Sequence, residues 1–172
     1  MNNIAIQLIT MFGIGRISKI PGTIASFVTC LFYFLCIIFN INIIFLLITF
    51  FIILIVLLII FFYSFSAVTI YIEDKENKDP KEVIVDEFIG QSIPIYLYEI
   101  SHCIEKSSDE AIIFYGILFI LFRFFDIVKP FPVSFFDKNF KNSFGVIMDD
   151  VCAGLYVVLS IICFMVLSSY FI

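Results

Sequence analysis

The sequence predicts an all-α fold: a polytopic membrane helical bundle of about four to five transmembrane segments. Three observations carry this. Hydrophobic residues make up 62% of the 172 residues and charged ones only 15%, with 24 Phe and no Trp. The run from Ile43 to Tyr63 contains one polar residue, Thr49. As a helix it spans about 31 Å, enough for a hydrocarbon core of about 30 Å. Finally, three polar clusters interrupt the apolar text: GIGRISKIPGT at 13–23, EVIVDEFIG at 82–90, and FRFFDIVKPFP followed by GVIMDDVCAG, spanning 122–154.

Each element has a local reason. The stretch Ile4 to Ile14 is mildly apolar and is expected at the membrane interface. A first helix, about Ile24 to Phe39, follows the turn Pro21-Gly22-Thr23. A second starts near Asn42 and continues to Ile72, longer than a bilayer requires. A third, about Asp86 to Tyr98, opens on two acids, which the helix dipole favours. Its apolar part is short, so a re-entrant path competes with a crossing. A fourth, about Glu110 to Asp126, is followed by Pro130 and Pro132, which a helix does not pass. The fifth, about Asp149 to Tyr170, is expected to open on its own pair of acids. The residues between 73 and 81 read as a solvated loop, and all 172 residues form one domain.

Charge orients the set. With the N-terminus cytoplasmic, three connections on that side carry Arg16 and Lys19; Lys75, Lys78 and Lys81; and Lys129, Lys138 and Lys141, eight of the ten basic residues. Lys106 alone falls in an outside loop, so the positive-inside rule selects this orientation. A crossing third helix then brings every polar cluster to one face. A secretory signal peptide is not expected, because the first long apolar run starts only after Thr23. The five cysteines are odd in number and lack a CxxC, which reads as small apolar packing and not as disulfides or zinc ligation. His102 is the only histidine, which makes a zinc site improbable. No nucleic-acid partner is expected.

Charged groups near lipid are expensive and are retained for a task. Asp86 and Glu87 are adjacent and point about 100° apart on a helix. Glu82 and Asp86 share a face if that segment is helical. Arg123, Asp126 and Lys129, each three apart, would form a cation–anion–cation stripe on one helix. The bland reading there is a structural ion pair with snorkelling cations. Asp149 and Asp150 repel unless a cation lies between them. Asp and Glu oxygens suit Mg²⁺ together with phosphate oxygens and water. Gly13, Gly15 and Gly22, with Arg16 and Lys19, suit close approach of a phosphate to a helix start. Acids for a divalent metal, bases for a phosphate and a greasy wall point to phosphoryl chemistry on a lipid headgroup.

These motifs resemble those of the phosphatidylglycerophosphatase A family, bacterial inner-membrane lipid phosphatases. The resemblance covers almost the whole chain. It rests on Gly13 to Ser26 (GxG-x5-PGT-x2-S), Ile84 to Gly90 (IVxDExxG), Phe122 to Pro132 (FRxxDxxKPxP) and Gly145 to Gly154 (GxxxDDxxAG). One departure is Ala25, where the family more often has glycine. The resemblance implies Mg²⁺-dependent removal of the terminal phosphate of phosphatidylglycerophosphate, giving phosphatidylglycerol, at the cytoplasmic face of the inner membrane. It implies Asp86, Glu87, Asp126, Asp149 and Asp150 as the catalytic acids, with Glu87, Asp126, Asp149 and Asp150 as metal ligands. Lys19, Thr23, Arg123 and Lys129 are the implied phosphate contacts. Two other readings stand beside it. A CDP-alcohol phosphotransferase also uses membrane-edge acids and Mg²⁺, but needs a longer aspartate- and glycine-rich run absent here. A small transporter would place its acids near the bilayer midplane. Membrane lipids are expected partners, and the oligomeric state stays open.

Overall fold

A computed structural model describes residues 3–17, 19–38, 43–73, 75, 77–101 and 108–171. All regular structure among them is helical. Two short helices, α1 (Asn3–Ile9) and α2 (Ile14–Ile17), precede α3 (Pro21–Ile38) and α4 (Ile43–Ile72). Then come α5 (Val85–Ser101), α6 (Ser108–Val128), the short α7 (Val133–Asn139) and α8 (Ser143–Phe171). Helices α3, α4, α6 and α8 are long and apolar enough to cross a membrane. The molecule is an all-α membrane helical bundle.

The apolar side chains divide by what they face. Phe51, Ile59 and Phe164 are 64%, 62% and 71% exposed, as lipid-facing positions must be. Inside, an aromatic cluster ties α3, α4, α5 and α6: Tyr33 stacks on Phe50 at 6.4 Å, and Phe50 meets Tyr96 edge-on at 5.9 Å. Such pairs contribute orientation beyond area burial. A second cluster, including Ile9, Val68, Ile72, Val85 and Ile147, packs α1 against the ends of α4, α5 and α8. The Ile84 N–H donates to the Ile9 carbonyl at 2.9 Å and clips the chain entering α5 to α1.

Helix α5 is the centre. Its buried residues include Asp86, Gln91, Ser92, Pro94, Tyr96 and Glu99. Protein, not lipid, surrounds them, so polar groups are tolerated there. Its 17 residues span about 26 Å. Its N-terminus sits with the C-terminal ends of α4 and α6, so it runs antiparallel to both through the bundle.

Its main partner is α8, and glycines set their separation. A Cβ at Gly90 would lie 2.6 Å from the Asp150 carbonyl and 2.8 Å from a Phe122 ring carbon; one at Gly154 would strike the Gly90 carbonyl. Small residues allow this approach where lipid offers no hydrophobic drive to association. Gly90→Val is therefore expected to lower stability by about 3 kcal/mol, read as a thermal midpoint in detergent. An unchanged midpoint would show that the helices part without penalty.

The structure moves several expected boundaries. α3 begins at Pro21, because proline suits the first helical position, where its missing N–H is no loss. α8 begins at Ser143, so Asp149 and Asp150 lie well inside the helix instead of opening it; no acid occupies its first turn. Glu82 precedes α5 and does not share a helix face with Asp86. It accepts from Tyr71 at 2.5 Å and pairs with Lys75. Those two bonds hold its carboxyl below the usual range. Phe39, Asn42, His102, Cys103 and Lys106 lie outside the described residues. Cys30 is buried, Cys36 and Cys152 are half-buried, and Cys163 is exposed; none of these four is in a disulfide.

Candidate active site

One end of the bundle gathers the N-termini of α3 and α5, the first turns of α8, the last turn of α6 and the loop after α4. There they enclose a cavity of about 280 Å³. Its lining includes Asp86, Glu87, Asp126, Asp149 and Asp150 together with Lys19, Thr23, Arg123 and Lys129. The nine residues implied by the family resemblance thus all border one space, whereas Arg16 is not among its lining residues. Asp86, Glu87 and Asp126 lie at helix ends, and Asp149 and Asp150 lie about two turns into α8.

Each comes from a local device. Gly22 lies in the first turn of α3, and a Cβ there would collide with Glu87 Oε1 and come within 3.3 Å of Arg123 Nη1. Glycine lets the start of α3 close over the site, with Thr23 behind it. Asp86 and Glu87 occupy the first turn of α5, where the dipole favours acids. Arg123 and Asp126 pair along α6 at 2.8 Å, both side chains more than four-fifths buried.

Lys129 departs from the expected stripe. α6 ends at Val128, and Lys129 takes φ +46°, a left-handed conformation that non-glycine residues seldom adopt. Its N–H still closes the last turn on Phe125 at 2.9 Å, as a left-handed residue after a helix does. The turn swings the side chain away from Asp126. Its Nζ donates to Asp149 Oδ2 and to Asp137 Oδ1, both at 2.8 Å. Burial works against its charge, but Asp149 and Asp137 outweigh that and raise its pKa above the ordinary lysine value. It remains an ammonium at any physiological pH. Partial burial also opposes ionisation of Asp137, yet the bond from Lys129 prevails and lowers its carboxyl pKa.

The charge count then separates the acids. Arg123 holds Asp126, and Lys129 holds Asp149. Among the described residues Asp86, Glu87 and Asp150 form no ion pair, although Arg123 lies near Glu87 across Gly22. An oxygen of each — Asp86 Oδ1, Glu87 Oε2 and Asp150 Oδ1 — is buried with no hydrogen-bond partner. One oxygen from each of the three carboxylates falls within 4.8 Å of the other two. Three adjacent buried negative charges are strongly unfavourable unless a positive charge or protons join them. Hard oxygen donors with free valence at this spacing fit a divalent cation of the Mg²⁺ type. Of the expected ligands, Glu87 and Asp150 stand in this group, and so does Asp86. Asp126 and Asp149 face cations instead.

Three residues near the site were not singled out by the sequence. Asp79 and Lys81, from the segment read as a solvated loop, line the cavity. Asp137, from α7, anchors Lys129. Nothing in the spacing marked Asp137, because its partner precedes two prolines and a cis peptide bond at Phe131-Pro132.

The fold and the site define an integral-membrane protein with an acid-walled, cation-bordered cavity at one end of its bundle. Residues 7–165 match the phosphatidylglycerophosphatase A family, and the chain belongs to it. A phosphatidylglycerophosphatase A of Haemophilus influenzae is 38% identical over 81 residues, 47% of this chain and 44% of that protein. A putative phosphatidylinositol-3-phosphatase of Bacteroides thetaiotaomicron is 31% identical over 149 residues, 86% of this chain and 84% of that protein. The phosphatidylglycerophosphatase A of Escherichia coli K12 is 31% identical over 77 residues, 45% of this chain and 40% of that protein. The match therefore spans less than half the length of both relatives that bear the family's name. No solved structure matches the chain.

Proposed function

We propose that this protein hydrolyses a phosphate monoester on a phospholipid headgroup, with phosphatidylglycerophosphate as substrate and Mg²⁺ as cofactor. We place the reaction at the cytoplasmic face of a bacterial inner membrane. The observation that carries this reading is the division of the acids. Two are neutralised by Arg123 and Lys129, and three are left with open oxygens beside them.

In this reading Asp86, Glu87 and Asp150 hold the metal. Bound there, Mg²⁺ would supply Lewis-acid polarisation of the phosphoryl oxygens and an activated water as nucleophile. The oxygen of water bonds to phosphorus as the bond from phosphorus to the glycerol oxygen breaks. The proton that water loses balances the one the leaving alkoxide gains. Arg123 and Lys129 present fixed positive charge to the phosphoryl oxygens, whose charge is spread in the transition state. Asp126 and Asp149 hold those two cations in place. Lys19 and Lys81, exposed at the rim, draw an anionic headgroup toward an otherwise acidic cavity.

Release of inorganic phosphate by the purified protein in nanodiscs tests this. Turnover of phosphatidylglycerophosphate is expected, abolished by excess chelator and restored by Mg²⁺. Full activity in chelator would remove the metal from the mechanism. The broad match to the Bacteroides protein supports a second reading, phosphatidylinositol 3-phosphate as substrate. Turnover of that lipid alone would establish it, and turnover of neither would reject both.

Orientation has its own test. Every described cation lies at the cavity end of the bundle, the pattern of a cytoplasmic face. With the native cysteines replaced, single cysteines at positions 78 and 138 are expected to resist an impermeant thiol reagent applied from outside. One at position 106 should react. Labelling at 138 from outside would invert the proposed topology.

A further inference from the structure

We propose that the groove between α3 and α6 seats an acyl chain of the substrate, and that Gly116 keeps it open. The inference rests on the lipid-phosphatase reading above. The groove has a volume of about 400 Å³ and is walled by Phe27, Leu31 and Phe34 of α3 and by Ile112, Gly116 and Phe119 of α6.

Two observations single it out. The first is its alignment with the cavity along the same two helices. Thr23 and Arg123 line the cavity; Phe27 and Phe119 stand four residues away on the same two helices, one turn further into the bundle. Their rings meet edge to face at 6.4 Å at the cavity end of the groove, so a chain would pass them on the lipid-exposed side. A lipid whose phosphate occupies the cavity directs its chains along these helix axes, into the groove. Its side is open to lipid, with Phe27 and Ile112 58% and 56% exposed.

The second observation is Gly116 itself. Glycine is disfavoured in a helix interior. In the neighbouring helices, Gly22, Gly90 and Gly154 each face an atom that a Cβ would strike, whereas a Cβ at Gly116 meets nothing within 4 Å. Packing of the protein on itself does not require this glycine. Its missing side chain is the floor of the groove. Since the groove and the bilayer are both hydrocarbon, entry brings little hydrophobic gain. The groove acts by alignment, fixing the chain so that the headgroup meets the acids.

Gly116→Leu fills the groove without touching the cavity. It is expected to lower kcat/KM for dioleoyl phosphatidylglycerophosphate about tenfold, while turnover of a water-soluble dibutyryl analogue stays within about twofold. Ile117→Phe, exposed on the same helix but outside the groove, should change neither. Equal losses on both substrates, or none on either, would overturn the proposal, as would dissociation of a dimer by Gly116→Leu. A wild-type protein inactive on both lipids would instead overturn the underlying functional reading. A second measurement does not depend on the variant. Phosphatidylglycerophosphate with a diazirine in its acyl chain should crosslink to Leu31, Phe34 or Ile112 of the wild-type protein. Crosslinks confined to Met11 and Phe12, beside another apolar groove, would place the chain elsewhere.

Discussion

Asp150→Asn is expected to lower turnover about a thousandfold and, in chelator, to raise the thermal midpoint of the protein. The two effects have opposite signs for one reason. Asp150 is 4% exposed and, with Asp86 and Glu87, forms a group of three carboxylates with no ion pair among the described residues. Asparagine keeps the shape and removes one negative charge from the group. Without metal, like-charge repulsion and the penalty of burying the charge both fall, so the fold gains stability. With metal, a hard anionic ligand has been lost, so affinity and transition-state stabilisation fall together. Partial recovery at high Mg²⁺ should accompany the loss. Phosphate release and thermal unfolding, each with and without Mg²⁺, check all of this. A variant with near-normal turnover would reduce Asp150 to a structural acid. One destabilised in chelator would show that the three charges are balanced within the protein.

Lys129→Ala is expected to lower turnover about a hundredfold, and Lys129→Arg nearly as much. A compact ammonium bridges two carboxylates 2.8 Å away on different helices, and a planar, longer guanidinium cannot take its place in that space. Removing the ammonium also leaves Asp149 buried and unpaired, which destabilises by about 3–5 kcal/mol. The role in turnover has to be separated from that structural effect. The double variant Lys129→Ala with Asp149→Asn should recover thermal stability without recovering turnover. Lys129→Gly relaxes the left-handed backbone at this position and should still be inactive. Lys138→Ala, in α7 and outside the cavity lining, should be near normal. Recovery of activity together with stability in the double variant would make Lys129 a structural cation only.

Much of the fold was legible because hydrophobic length is a local property. The runs that became α3, α4, α6 and α8 announce themselves by composition, and their boundaries shift by only a few residues, except at the start of α8. There Ser143 to Met148 join the helix, although Asp149 and Asp150 look like a natural opening. Helix α5 was harder to read. Gln91, Ser92 and Glu99 break its apolar text, because the helices around it, and not lipid, are its solvent. The segment holding Asp79 and Lys81 looked solvated, since nothing local shows that it folds over the cavity. Glu82 shows the same limit: its face was shared with Asp86 only if that segment were helical, and the helix starts three residues later, leaving Glu82 to Tyr71 and Lys75.

The sequence by itself determined the membrane bundle and the polar clusters, and its motifs, read with the family resemblance, named nine of the residues that line the cavity. Residue type and helical spacing are enough for the Arg123–Asp126 pair, three residues apart on one helix, whereas Lys19, Thr23 and Lys129 came from the motifs that the resemblance rests on. Which acids are neutralised and which are left open was decided only by the tertiary structure. Lys129 reaches Asp149 across 20 residues of chain, after a left-handed turn that no spacing rule anticipates. Asp86, Glu87 and Asp150 meet because the backbones of α5 and α8 approach closely at Gly90 and Gly154. Buried charge is governed by distance in space, through the low dielectric of the interior. A chain records distance along its length, and the two coincide only within a helix.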